Sequence, residues 1–524
     1  MALFAQLYNF RWVAAFVLLA FYAGTKIRTY NRLKAFKGPF STGWSEAWHI
    51  LALLSFKSHL KYDEVIRKYG KIARIGPNDL ITSSPELILH MSAVRSPYTR
   101  GEWFYKATRH RPDKDHVFSE IDEEKHRQLR SKMSAGYSGK ENLALEASVD
   151  THVSEFLQLI RSKYLSTNAA ARPMDFAQKV QFLTLDVISD ISFGSAFGHL
   201  LADADVNDIA RSCEEGLLAF TVAAALGLYK LVQHPLVAPV VGPKETDASG
   251  FGRMMANARA AIRDRAAAAE EKGENGSDMM ASFFRHGLTE DEVFSESTLQ
   301  MLAGSDTTAA SLRIVMLYLL THSRVYEKLR AEIDSFVAGG GGGSSGIVSD
   351  ADARGLAYLQ AVIKEGMRVH PPVTDSVPKR VPDGGDTAVV DGRPVFLPGG
   401  AIVGYAVWPM HLSKEIFGED AEEFRPERWL LEADGRKLAT MNRVHELVFG
   451  YGRYSCLGKP IAMMELGKTV YEVSQRVLYF GFQLVRNFDW CLARPDCPWK
   501  ESNYTGLFAH RDMWVLVSER KTMP

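Results

Sequence analysis

Between Leu288 and Thr321 the chain runs for more than thirty residues with little interruption of its apolar character. The stretch opens on Leu288-Thr289-Glu290-Asp291-Glu292, where Thr289 and Glu292 have the spacing of a capping box. A helix this long and this apolar does not suit a surface and is expected to cross the middle of a large body. The chain is long enough to build one: of its 524 residues 46% are hydrophobic and 24% charged, an ordinary globular composition. Length alone suggests about three domains. The pattern from roughly 120 to 335 is mostly helical without a break, which favours one large helical body with minor sheet. Lys plus Arg number 62, as do Asp plus Glu, so no basic excess is available for a phosphate backbone and nucleic acid is not an expected partner.

The first forty residues set a second constraint. Trp12 to Ala23 is an unbroken apolar run, and extending it back to Leu3 gives the ~20 residues of a membrane span at the cost of including Gln6, Asn9 and Arg11. Lys26, Arg28, Arg32, Lys34 and Lys37 follow the run, the reverse of a cleaved signal peptide. This basic flank predicts a single-pass N-terminal anchor over residues 1–37 with the rest on the cytosolic side, and Gly38-Pro39 begins a soluble part covering 38–524.

Lys71 to Ser83 reads as strand, Gly-Pro-Asn-Asp turn and strand, and Ser84-Pro85 as a capped helix start. Short strands are expected around 388–405, a helix after Cys456 and a strand pair in the C-terminal tail. Gly341 to Gly346 formally matches G-x-G-x-x-G, but neither a preceding strand nor a following apolar helix is present. Five glycines from Gly339 with two serines describe a linker.

Four cysteines (Cys213, Cys456, Cys491, Cys497) without a C-x-x-C pair make no disulfide scaffold. Cys456 stands apart because of its setting, Phe449-Gly-Tyr-Gly-Arg-Tyr-Ser-Cys-Leu-Gly458. The glycines permit a tight loop, and a helix begins directly behind the thiol, with Pro460 in its first turn. A sulfur among free helix amides is favoured as thiolate and as a metal ligand.

This segment resembles the haem-binding loop F-x-x-G-x-R-x-C-x-G of the cytochrome P-450 superfamily, with Phe449, Gly452, Cys456 and Gly458 in place. Tyr454 stands where the family has arginine, and Arg453 lies one residue earlier. Five E-x-x-R patterns occur, but only Glu365-Gly-Met-Arg368 is followed by His-Pro-Pro. Phe424-Arg-Pro-Glu-Arg-Trp429 then supplies Arg428 for the family's structural Glu–Arg–Arg cluster. Within the long central stretch, Ala303-Gly304-Ser305-Asp306-Thr307-Thr308 resembles the family's oxygen-activating motif. His126 and Arg130, and Arg380, resemble its propionate-holding positions.

The resemblance implies a mainly α cytochrome P-450 fold with small β-sheets, haem b as cofactor, and Cys456 as axial iron ligand. Ala303, Gly304, His126, Arg130, Arg380, Phe449, Arg453 and Gly458 would contact the cofactor, with Gly304 letting the helix open beside the iron. Thr307 would hydrogen-bond at the oxygen-binding position, and Asp306 would relay protons toward it. The implied reaction is monooxygenation of a lipophilic small molecule with O2. Its NADPH-derived electrons would come from a separate cytochrome P-450 reductase, with cytochrome b5 as a second donor. A basic face of Lys125, Arg127, Lys132, Arg453 and Lys459 is a candidate docking surface, and the anchor would place the enzyme at the endoplasmic reticulum. Trp103, Phe104, Val373, Leu507 and Phe508 are candidate substrate contacts. The Cys456 loop and Asp122 to Glu141 resemble fungal members of secondary metabolism, the pisatin-demethylase-like group. Oxidative coupling or rearrangement without net oxygen insertion is the alternative within catalysis, and a haem carrier or sensor the alternative outside it.

Overall fold

The structure, a computed structural model, describes residues 2–272, 276–342, 346–431, 434–474 and 488–519. Seven helices matter for the site: α1 (Ala2–Arg32), α2 (Glu123–Tyr137), α3 (Phe176–Phe193), α4 (Ile209–Ala225), α5 (Glu290–Thr321), α6 (Ala357–Val369) and α7 (Lys459–Ser474). The main sheet is built from β1 (Ile72–Arg74), β2 (Asp79–Thr82), β3 (Thr99–Arg100), β4 (Asp375–Arg380) and β5 (Ile402–Ala406), in the order β1-β2-β5-β4-β3. A C-terminal hairpin pairs β6 (Lys500–Tyr504) with β7 (Leu507–Arg511).

The expected capping box starts α5: Thr289 Oγ1 accepts from the Glu292 amide at 3.3 Å, and Glu292 returns the contact to the Thr289 amide at 2.8 Å. From there α5 runs unbroken through the largest hydrophobic cluster. Its Ala309, Leu312, Val315 and Leu319 are wholly buried beside Phe182 and Leu185 of α3 and Val470 of α7. The predicted strand–turn–strand is the antiparallel β1–β2 pair, with Ile72 opposite Thr82.

The helix predicted as an anchor is α1. Its C-terminal end is docked, with Leu33 fully buried and Tyr30 stacked on Trp44 at 4.4 Å, whereas Trp12, Phe16, Leu18 and Phe21 stand 62–72% exposed. Among the described residues no helix is long and apolar enough to cross a membrane. The apolar run from Trp12 to Ala23 is shorter than a span, and any window of ~20 residues takes in polar residues on one side or lysine and arginine on the other. Part of the glycine linker, residues 343–345, lies outside the described residues.

Candidate active site

Cys456 sits at the end of a closed loop. Its amide donates to the Phe449 carbonyl at 2.7 Å, bringing the two ends of the Phe449–Cys456 segment together. Gly450 and Gly452 have φ of +73° and +60°, the left-handed region. A Cβ on Gly452 would meet the Ser92 carbonyl oxygen at 2.2 Å, so the loop packs on the Ser92–Tyr98 segment only because that position is glycine. The thiol faces the amides of Gly458 and Lys459. Although Cys456 is exposed, desolvation by the protein around it pushes its pKa up, while these two amides and the charges of Arg130 and Lys459 pull it down. A Cβ on Gly458 would approach nothing but the cysteine sulfur, at 3.9 Å.

A concentration of buried positive charge adjoins this loop. His126 and Arg130 share one face of α2, four residues apart. Arg130 donates to Ser455 Oγ at 3.0 Å, next to the cysteine. His126 takes a contact from Arg100 Nη2 at 3.0 Å and stacks on Tyr454. Burial, then Arg100, Arg130, Lys379 and Arg453, hold its pKa down to about 2, so the ring is neutral.

Lys379 is the residue that the sequence reading missed. It is 1% exposed, its ammonium lies 3.1 Å from the centroid of the Tyr454 ring, and it reaches Tyr105 Oη at 3.5 Å. Burial, with Arg100 adding to it, pushes its pKa well down. Arg380, the expected propionate arginine, points the other way and pairs with Asp383. Neighbours on a strand face opposite sides, so β4 cannot present both residues; the sequence offers only this parity, and which of the two turns inward is set by the pairing, with its register shift between Ser376 and Lys379. Arg453 is also placed differently from expectation: its guanidinium donates to the carbonyls of Ser96 and Tyr98 at 2.7 and 2.6 Å, fastening the loop to its support. Tyr454, in the family's arginine position, bonds Glu123 through its hydroxyl at 2.5 Å.

On α5, Asp306 Oδ1 accepts from Gln181 Nε2 of α3 at 2.6 Å, and Oδ2 is buried without a partner. Arg313, the nearest cation, is engaged elsewhere, by the Ala177 carbonyl and by Gln181 Oε1 at 2.7 Å. Burial therefore prevails over Arg313 and Gln181 and raises the Asp306 pKa to about 7. A cavity of about 280 Å³ borders Asp306 and reaches Glu214 and Arg511. Thr307 Oγ1 donates to the Ala303 carbonyl one turn back at 3.0 Å. Gly304 does not open the helix, which is continuous here. A Cβ at Gly304 would meet Ile188 Cγ1 of α3 at 2.7 Å, so the glycine serves close helix packing.

Glu365 and Arg368 of α6 meet Arg428 in an interior cluster, all three 0–3% exposed. Arg368 grips both Glu365 oxygens at 2.9 and 2.8 Å, and Arg428 Nε reaches Oε1 at 2.8 Å.

A cytochrome P450 family model matches residues 39–488. The chain belongs to the cytochrome P450 family. Cytochrome P450 monooxygenase ABA1 of Pyricularia oryzae is 36% identical over 97% of either chain. A cytochrome P450 monooxygenase aba1 of Botryotinia fuckeliana is 35% identical over 92% of this chain and 90% of its own. The abl1 enzyme of Leptosphaeria maculans, also a cytochrome P450 monooxygenase, is 31% identical over 92% and 82%.

A P450 holds haem, and the residues present fit that group. Arg100, Arg130, Lys379 and Arg453 lie together against one carboxylate, Glu123. Arg100 and Lys379 are buried and the other two half-buried; cations in such excess are costly unless a further anion joins them, and a dianionic porphyrin supplies two carboxylates. Cys456 offers the sulfur ligand.

The candidate substrate contacts of this P450 separate into two groups. Phe104 packs with Phe118, Phe220 and Tyr229, and Val373 bridges Leu507 at the hairpin tip. Phe508 is 2% exposed and packs among the rings of His59, His370, Trp408 and His510. Trp103 sets its ring edge against His49 at 5.2 Å. Phe104, 5% exposed, Phe508 and the half-buried Trp103 thus all have protein partners for their rings, while Val373 and Leu507 meet each other at the hairpin.

Proposed function

We propose that this P450 inserts one oxygen atom of O2 into a lipophilic small molecule, as a tailoring step in fungal secondary metabolism. The observation that carries the reading is the half-satisfied Asp306 beside Thr307, on the helix that crosses the interior. In balance, substrate C–H, O2, two electrons and two protons give C–OH and water. When bound at Cys456, haem b would supply the iron at which O2 is activated. The protein's own work is then to hold, protonate and exclude. The Cys456 sulfur is held by its loop, with the Gly458 and Lys459 amides moderating its charge. Arg130 and Lys379 would take the propionates, with Arg100 behind them.

Asp306, with its pKa near neutrality, can gain and lose a proton at the pH of the cytosol, the property a relay requires. The Thr307 hydroxyl donates to Ala303, which leaves its lone pairs to accept a proton from that side. Val373 and Leu507 supply apolar surface for the substrate. No such relay is needed for a haem carrier, and peroxide rearrangement needs no proton delivery from solvent.

Electrons would arrive from NADPH through a separate reductase, with cytochrome b5 as an additional donor. Arg127 pairs with Glu124 and Lys459 with Glu446 on the candidate docking face, while Arg453 is turned inward. The exposed apolar side of α1 and its basic flank support an N-terminal anchor in the endoplasmic reticulum membrane, with the domain from Gly38 onward in the cytosol.

The test has two parts. The reduced protein with CO should show a Soret band near ~450 nm that Cys456→Ser abolishes. Metabolites of a deletion strain, compared with its parent, should include an accumulated precursor one oxygen lighter than the missing product. A precursor differing by two hydrogens alone would replace oxygen insertion by oxidative coupling.

A further inference from the structure

A second set of convergent donors has no part in the oxygen chemistry. His59 lies in the first turn of the helix Ser58–Tyr69, His370 immediately follows α6, and Glu501 and His510 face each other across β6 and β7. All three histidines turn the same ring nitrogen toward one carboxylate. His370 Nε2 lies 3.0 Å from Glu501 Oε2, His510 Nε2 3.3 Å from the same oxygen, and His59 Nε2 3.8 Å from Oε1. Donor atoms of His370, Glu501 and His510 all fall within 4.8 Å of one another. The histidines are buried, at 2%, 7% and 2% exposure, while the Glu501 side chain is 26% exposed and leaves a path from solvent.

One further observation points to a ligand. His370 Nε2 is buried without a hydrogen-bond partner, although it is aimed at the carboxylate. A buried nitrogen this close to a carboxylate oxygen, yet not aligned to bond it, is incompletely satisfied. A cation seated between nitrogen and oxygen would satisfy both. Ligands at about 2.0–2.2 Å from a tetrahedral ion stand roughly 3.3–3.6 Å apart, and the 3.0 and 3.3 Å from His370 and His510 to one Glu501 oxygen lie close to that range.

We propose that His370, His510 and Glu501 form a site for a divalent transition ion of the zinc class, with His59, 3.8 Å from the second Glu501 oxygen, moving in as the fourth ligand when the ion binds. Three imidazoles and one carboxylate suit zinc, whereas calcium and magnesium take oxygen ligands. The rings are pre-positioned by neighbours: Trp499 stacks on His510 at 4.0 Å, and Trp408 lies 4.9 Å from His370 and 5.0 Å from His59. With His59 closing the fourth position, the ion is structural and activates no water. It ties the β6–β7 hairpin to the end of α6 and to the helix Ser58–Tyr69.

The experiment uses the haem-loaded full chain, incubated with zinc sulfate, desalted and analysed for zinc against haem. About one zinc per haem is expected in the wild type. A Glu501→Gln/His510→Phe double variant, which keeps an aromatic ring against Trp499, should lose the zinc at unchanged haem content. Wild-type zinc no higher than in a protein-free control overturns the site, as does full zinc retention in the double variant. If that variant does not hold haem, X-ray absorption at the zinc edge of the wild type decides. Four nitrogen or oxygen scatterers at about 2.0–2.1 Å with the outer-shell pattern of imidazole support the site; a sulfur scatterer at about 2.3 Å, or an all-oxygen shell, overturns it.

Discussion

Glu365 and Asp306 are both acids held inside the protein with an arginine nearby, yet their surroundings are built to opposite ends. Glu365 receives Arg368 on both oxygens, Arg428 and the Arg425 amide on one, and the Trp429 indole on the other. The two guanidinium groups then use their remaining donors on carbonyls of residues 411 to 423. Asp306 has Gln181 on one oxygen and nothing on the other, because Arg313 is turned to Ala177 and Gln181. A saturated acid is fixed in place and serves the architecture. An acid short of donors changes protonation readily, and that is a chemical capacity rather than a structural one.

The largest effect should follow from breaking the saturated site. Glu365→Gln leaves two buried guanidinium groups facing a neutral amide, and about 3–5 kcal/mol of stability should go, measured as a lowered urea midpoint and loss of haem. Asp306→Asn should do the reverse: haem binding and the CO spectrum persist, while turnover falls at least ~10²-fold in steady-state product formation. If both variants misfold, or both merely slow turnover, the distinction between the two acids fails.

The pH dependence of stability sharpens the same contrast. The Asp306 pKa is raised in the folded state to about 7, so between the ordinary carboxylate range and neutrality the native state binds more protons than the unfolded one. Its contribution to stability must therefore fall as pH rises through that window. Urea midpoints across it should decline less steeply for Asp306→Asn than for the wild type. The smallest effects separate neighbours on β4. Lys379→Gln should weaken haem binding by about 1.5–3 kcal/mol, ~10–100-fold in the dissociation constant by haem transfer to a competing acceptor protein. Arg380→Ala, at an exposed ion pair, should leave haem affinity unchanged and shift stability by less than about 1 kcal/mol.

Much of the site was legible because its residues are placed by local rules. The glycines around Cys456 announce a tight loop, the four-residue spacing of His126 and Arg130 puts them on one helix face, and His-Pro-Pro picks the right E-x-x-R from five. Failures came where a side chain's direction depends on a partner far away in sequence. Arg380 is the better anion ligand by residue type, but the pairing of β4 with β5 turns Lys379 inward. Gly304 reads as a weak point in a helix until Ile188 of α3 is seen against it. The Arg453 side chain is directed by two carbonyls more than 350 positions earlier, which no local pattern announces.

That last attachment bears on how the protein is made. Arg453 and Gly452 rest on the segment Ser92–Tyr98, and Arg130 of α2 braces Ser455, so the cysteine loop takes its shape only against chain that left the ribosome long before it. Most of the polypeptide must already be synthesised and at least partly collapsed before a porphyrin can find its thiolate. Insertion of the cofactor is thus among the last events of biosynthesis, and a shortage of haem should leave behind a nearly complete chain rather than an early, easily discarded fragment.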